Sequence, residues 1–408
     1  MREDRDLLVG LDIGTSKVTC LVARLREDGG VEPLGLGVSP MTGMKRGVVV
    51  NIEASVASID RAVEEAKRMA ACDIPRVHAS ISGAHIQCTN AEGMIAVKGS
   101  EITREDVAKV IEVARAMPIP SEQQVLHLLT QEFIIDGQGG IKDPVGMSGV
   151  KLMAKVHIIT GAAASAQNII KCVRRAGLEI DGLVLQPLAA AHAVLTEDEK
   201  ALGVCVIDIG AGTTDLAVYT QGAIRYTAVL PAAGDMITND IAMALRTPTA
   251  EAESIKLEHG AARHDWVDPE EMIEVAPVGD RPPRRLSRQR LADVIHPRAE
   301  ELFELVQQEL RRSGYEEMLS SGVVLTGGSA KLGGMVELAE EVLGMPARLG
   351  APLVGGRLRE RLADPEYAAA VGLVLEAANS QRRLPGRGGR AAGGQWWRRT
   401  WQWIRENF

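Results

Sequence analysis

The sequence predicts an α/β protein made of two related halves, with a small strand-helix-strand-strand module inserted in the first and an amphipathic helix at the C-terminus. Three observations lead there. An apolar run ending in an Asp-x-Gly turn occurs twice, at Asp12 and at Asp208. Between the two copies, residues 84–160 carry strand and helix patterns of their own. Four of the five tryptophans, Trp396, Trp397, Trp401 and Trp403, fall at the very end of the chain. With 408 residues, 46% of them apolar, the chain can fill more than one core.

Residues 7–23 read as two β-rich runs about a turn at Gly14-Thr15-Ser16. Residues 51–71 place Ile52, Val56, Ile59, Val63 and Ala66 at helical spacing. A strand from 77, a helix over 104–117 and strands over 125–135 and 151–159 follow. Residues 165–177 are helical, and Gln186-Pro187 opens a small-residue helix over 188–195. The strand run 204–219 then begins the second half. Helices are predicted over 237–245 and 250–258, and the Pro- and Arg-rich stretch 280–290 is expected to be irregular and exposed. After it come an amphipathic helix over 297–312, a buried strand over 322–326 ending in Gly327-Gly328, and an alanine-rich helix over 366–378. The expected domains are 1–83 with 161–200, closed by the helix 366–378; the insert 84–160; and 201–365, with a smaller subdomain at about 235–312. Residues 379–394, rich in Gly and Arg and broken by Pro385, read as a flexible linker to the helix 395–408.

Composition narrows the function classes. The net charge is −8, yet seven arginines against one acid follow Gln381, so an acidic body carries a basic tail. An acidic body argues against nucleic acid, and a basic tail argues for an anionic surface. The five scattered cysteines form no C-x-x-C pair and read as buried thiols of a reducing compartment. The eight histidines lack ligand spacing. No secretory leader is expected at the start, and no apolar run reaches the ~18 residues of a membrane span.

The chemistry sits in the repeated turns. Asp12-Ile13-Gly14-Thr15-Ser16-Lys17 and Asp208-Ile209-Gly210-Ala211-Gly212-Thr213-Thr214 each end a strand. Glycine lets backbone N–H groups approach phosphate oxygens, and hydroxyl side chains add donors. Asp12 and Asp208 suit a hydrated Mg²⁺, and Lys17 suits phosphate charge. One such turn is equally well a bare hairpin; repetition weighs against that. Thr326-Gly327-Gly328-Ser329 offers a flat wall for a base, and Gly234, Glu253 and Lys256 lie where polar groups could hold a ribose.

These segments resemble the actin and heat-shock-chaperone ATPase superfamily, in which duplicated domains close on ATP. The insert at 84–160, the stretch Gly43-Met44-Lys45-Arg46-Gly47 and the Trp-rich end are similar to the FtsA family of bacterial cell-division proteins. The resemblance implies an actin-like fold, ATP with Mg as cofactor, slow hydrolysis at most, and polymerisation with further copies. It also implies tethering of FtsZ, recruitment of later division proteins, and a place on the cytoplasmic face of the membrane at the septum. On the family pattern Asp12, Gly14, Thr15, Ser16, Lys17, Asp208, Gly210, Gly212, Thr213 and Thr214 hold phosphates and Mg, the aspartates acting through water. Gly234, Glu253, Lys256, Gly327, Gly328 and Ser329 surround the nucleoside. No residue is assigned as catalytic base. The alternatives are a PilM-type pilus-assembly scaffold, which lacks a tryptophan tail, and a small-molecule kinase, which needs a carboxylate base.

At 100° per residue, Trp396, Trp397, Trp401, Trp403, Ile404 and Phe408 share one arc, and Arg398, Arg399, Gln402, Arg405 and Glu406 oppose it. Tryptophan favours the headgroup boundary and arginine favours anionic lipid, so the helix is expected to lie in the interface. Arg284, Arg285 and Arg288 form a basic stretch that suits either a solvated loop or docking of the acidic C-terminal peptide of FtsZ.

Overall fold

The structure, a computed structural model, describes residues 7–279 and 282–382. The amphipathic segment 395–408 and most of the expected linker therefore lie outside the described residues.

Strands β1 (Leu7–Ile13), β2 (Lys17–Leu25) and β3 (Val31–Pro40) form an antiparallel meander. A short hairpin of β4 (Met44–Lys45) and β5 (Val48–Val49) leads into α1 (Ile52–Ala70). Asn51 caps that helix, its side chain accepting the Ala54 N–H at 3.1 Å. The helix lies against β3 at Gly37, where a Cβ would fall 1.9 Å from the Ala62 carbonyl oxygen. Strand β6 (Arg76–Ile81) pairs parallel with β1, and the chain then leaves the sheet.

The excursion is β7 (Gln87–Ala96), α2 (Arg104–Arg115), β8 (Gln123–Ile135), β9 (Gln138–Ile141) and β10 (Lys151–Ala162), in the sheet order β7-β10-β8-β9. It has its own core, with Ile95, Val110, Phe133, Leu152 and Val156 buried together. The short strand β9 adds a hairpin beyond the strand-helix-strand-strand pattern read from the sequence. The chain returns through α3 (Ala163–Arg175) to β11 (Glu179–Leu185), which completes the first sheet beside β6, followed by α4 (Gln186–Val194) and α5 (Glu197–Leu202).

The second half repeats the first. Strands β12 (Val204–Ile209), β13 (Thr214–Thr220) and β14 (Ala223–Leu230) form another antiparallel meander. Then come α6 (Gly234–Leu245), α7 (Thr249–His259), β15 (Met272–Val275), β16 (Arg284–Ser287) and α8 (Arg288–Ser313). Ile237, Ile255, Ile273 and Leu291 bury themselves in a separate small core there. Strands β17 (Val323–Thr326) and β18 (Ala347–Leu349), with α9 (Met335–Leu343) between, complete the sheet. The orders β3-β2-β1-β6-β11 and β14-β13-β12-β17-β18 correspond strand for strand, with two antiparallel and then two parallel pairings. After α10 (Arg359–Leu362) the last described helix, α11 (Ala368–Arg382), crosses back onto the first half. It approaches α4 at Gly372, where a Cβ would fall 1.7 Å from the Ala189 carbonyl oxygen.

Three expectations are corrected. Residues 284–287 are a strand, and helix α8 starts at Arg288, nine residues before the expected start at Pro297. Ile273 and Val275 alternate inward along β15, Ile273 opposite half-buried Leu286 and Val275 opposite Arg284, so pairing with β15 overrides the Pro and Arg composition. Pro297 sits inside α8 and forgoes one helical hydrogen bond; burial of Leu291, Ala292 and Ile295 offsets it. Helix α11 also continues to Arg382, into the segment expected as linker.

Candidate functional site

The two Asp-x-Gly turns have the same local geometry. The Gly14 N–H donates to the Lys17 carbonyl and the Gly210 N–H to the Thr213 carbonyl, each at 3.0 Å. Each turn joins the first two strands of its half and places an aspartate at the strand end, Asp12 at 6% and Asp208 at 4% exposure. The turns face each other. A Cβ on Gly212 would lie 2.5 Å from Thr15 Oγ1 and 2.9 Å from the Arg46 Cα, so this approach requires glycine. Thr15 Oγ1 also accepts the Gly47 N–H at 3.0 Å.

Electrostatically the region is a cluster of carboxylates. Burial raises the pKa of Asp12, while the Ser80 hydroxyl, donating at 2.8 Å, and Lys17 oppose the shift. Burial raises Asp208 well above the usual range; Asp215 and Asp12 push it further and Lys17 resists. Asp215, at 1% exposure, is pushed up to about 7, chiefly by burial. Ser82, from the first half, donates to Asp215 of the second at 2.5 Å. Among the described residues no group of three or more His, Cys, Asp or Glu side chains could hold a metal ion unaided. A cation here would need water and phosphate as further ligands, which suits Mg²⁺.

One wall is made by the second half. The Gly234 N–H donates to the Gly210 carbonyl at 3.1 Å, and Ser329 Oγ donates to the same carbonyl at 2.8 Å. A Cβ on Gly234 would fall 2.2 Å from Ser329 Oγ. Lys256 is buried, pairs with Glu253 at 2.7 Å and donates to Thr238 Oγ1 at 2.8 Å. Gly327 has φ +87°, and a Cβ there would meet Asp208 Oδ1 at 2.3 Å. Gly328 is exposed beside it.

The expected site residues thus converge from β1, β2, β12, α6, α7 and the turn after β17. Two depart from simple phosphate donors. Thr214 is fully buried and gives its hydroxyl to the Ala232 carbonyl at 2.7 Å. Lys17 pairs with Glu366 at 3.0 Å. Ser80, Ser82, Asp215, Gln186 and Glu366 belong to the region but were not read from the sequence. A signal existed for the serines: Ser80 and Ser82 alternate at the end of β6, beside β1. Arg284, Arg285 and Arg288 lie apart, at the β15–β16 hairpin and the start of α8. Arg288 is committed to Glu271 and the His259 carbonyl, and Arg284 donates to the Leu245 carbonyl. Arg285 is exposed opposite Glu274. Among the described residues no helix is long and apolar enough to cross a membrane.

The family model described as "Cell division protein FtsA" matches residues 205–372, and that of the "SHS2 domain inserted in FTSA" matches residues 83–160. The chain is 53% identical to cell division protein FtsA of Pseudomonas aeruginosa over 92% of this chain and 90% of that protein. It is 45% identical to FtsA of Escherichia coli K12 over 99% of both. Among solved structures it resembles a PilM-PilN type IV pilus biogenesis complex, with TM-score 0.65, 19% identity, and 91% of this chain and 98% of that one covered. It also resembles MreB5 of Spiroplasma citri bound to ADP, with TM-score 0.55, 15% identity, and 90% and 95% covered. These last two share the actin-like fold.

Proposed function

The chain belongs to the FtsA family of cell-division proteins, and from that premise we propose that it binds Mg-ATP between its two halves and polymerises like actin. In the same proposal it tethers FtsZ to the cytoplasmic face of the membrane at the septum and recruits later division proteins. Membership sets aside the pilus-scaffold and kinase alternatives. The observation that carries the nucleotide reading is the facing pair of Asp-x-Gly turns with Asp12 and Asp208 buried behind them.

Burial opposes negative charge on Asp12 and Asp208, and a phosphate-bound Mg²⁺ with its waters would favour their ionised forms. Thr15, Ser16 and Thr213 would supply hydroxyl donors, and Gly212 and Gly234 the close backbone approach. Gly327 and Gly328 would back the base, and Glu253 and Lys256 would border the ribose. Thr214 would serve by fixing its turn. Mg²⁺ would neutralise phosphate charge, and no side chain is assigned to water activation. Asp208→Ala should abolish saturable Mg-ATP binding in equilibrium dialysis while the protein stays folded; retained binding would remove the reading.

The membrane half rests on the tryptophan face at 396–408. A chain ending at residue 382 should lose sedimentation with anionic vesicles and keep ATP binding. For the FtsZ peptide, Arg285 is the basic side chain of the stretch least committed within the fold. Arg285→Glu should weaken binding of an FtsZ C-terminal peptide in fluorescence anisotropy. Arg288 is the poorer choice, because reversal there also breaks its pair with Glu271.

A further inference from the structure

We propose that Glu366 competes with the phosphates of a bound nucleotide for the ammonium group of Lys17, and so sets how tightly the nucleotide is held. This rests on the nucleotide reading above and assigns a positioning residue outside the expected site set. Lys17 Nζ lies 3.0 Å from Glu366 Oε2 and 4.7 Å from the centre of the Tyr367 ring. Lys17 belongs to the phosphate turn of the first half. Glu366 lies in a short segment, 364–367, whose first residues are held by the second half, while Tyr367 is buried in a cluster with Leu8 and Leu21 of the first.

Contacts from the second half hold the start of that segment. The Gly327 N–H and Thr326 Oγ1 both donate to the Pro365 carbonyl at 3.2 Å. Lys331 pairs with Asp364 at 2.5 Å and comes within 3.9 Å of Glu366. Lys17 is therefore pinned across the interface between halves, onto the support of the Gly327-Gly328 turn. Carboxylate and phosphate are both oxyanions that a lysine ammonium binds, and each hydrogen donated to one is withdrawn from the other. Lys17 and Glu366 are 25% and 28% exposed at their side chains, so water screens the pair and a multiply charged phosphate chain can displace it.

Lysine transfer also bears on the rest of the chain. The segment 364–367 runs directly into α11, the last described helix before the tail. Release of Glu366 frees one side of that junction.

The test is Mg-ATP affinity by equilibrium dialysis on the full chain and on Glu366→Gln, Lys17→Met and the double variant. Glu366→Gln should bind about two- to fivefold tighter, the range expected of a partly exposed ion pair. Lys17→Met should bind more weakly, and adding Glu366→Gln to it should change nothing further. Glu366→Ala should match Glu366→Gln in direction, with thermal unfolding confirming that each variant is folded. A gain that persists without Lys17, or unchanged or weaker binding by Glu366→Gln, overturns the inference while leaving the nucleotide reading intact. No saturable binding by the unsubstituted chain overturns both.

Discussion

Asp12, Asp208 and Asp215 are buried together, and burial raises the pKa of each. A folded-state carboxyl with a raised pKa keeps a proton that the unfolded chain has released. Its contribution to stability is greatest at low pH and is lost as pH rises through the folded value, here from about 4 to about 7 for Asp215. Two buried histidines act in the opposite sense. His127 is pushed down to about 3 and His157 to about 4, chiefly by burial, so the fold loses stability as pH falls below their ordinary value of 6.5. The whole-protein curve sums both trends. The clean readout is the difference between Asp215→Asn and the unsubstituted chain in thermal unfolding, which should move in the variant's favour between pH 5 and 7.5. Parallel curves would show that Asp215 does not titrate there. Gly327 gives a second prediction at this scale. At φ +87° and with Asp208 in the way of a Cβ, Gly327→Ala should destabilise by about 1–3 kcal/mol in urea unfolding and weaken Mg-ATP binding as well.

Among the elements, α11 depends on small residues. Ala369, Ala370, Gly372 and Val374 are buried, and at Gly372 the backbones of α11 and α4 leave no room for a side chain. Gly372→Leu should cost more than about 3 kcal/mol or abolish the soluble fold, as overpacking between rigid helices does. Helix α2 depends instead on its start. Thr103 accepts the Asp106 N–H at 3.2 Å while Asp106 accepts the Thr103 N–H at 2.9 Å, a reciprocal capping box. Thr103→Ala should lose about 1 kcal/mol and speed amide exchange in α2 without touching the nucleotide region. Helical spacing made α1 and α2 legible in the sequence. It falls short at α8, whose first nine residues lie in the Arg-rich approach to Pro297, and at β16, whose four residues carry no alternation of their own and become a strand only by pairing with β15.

For the molecule as a whole, the insert touches both halves. It grows from β6 and returns through α3 in the first, yet Asn90 Nδ2 donates to the Arg225 carbonyl at 3.0 Å and Gln131 Nε2 to the Ile224 carbonyl at 2.8 Å, both beside β14 of the second. Buried His157 lies between Asn90, at 2.7 Å, and Thr227 Oγ1, at 3.2 Å. The insert thus braces the two halves on one side, while Ser82–Asp215 and Lys17–Glu366 join them at the site. Thr227→Val leaves a ring nitrogen of His157 unpaired. It should cost about 1–3 kcal/mol and raise amide exchange along β14 and β10 together; change in β14 alone would argue against the brace.

The sequence by itself determined the duplicated α/β plan, the separate insert and the two Asp-x-Gly turns, because local spacing encodes them: apolar runs stop where a glycine must turn, and the same string appears twice. It also located the expected phosphate and nucleoside residues as candidates. Tertiary structure decided which side chains oppose one another across the halves. Ser82 meets Asp215, Glu366 takes Lys17, and Thr214 turns its hydroxyl inward to Ala232. No periodicity records such pairs, since their partners are brought together by the docking of two sheets and the return of α11, and that docking is set by packing over the whole chain.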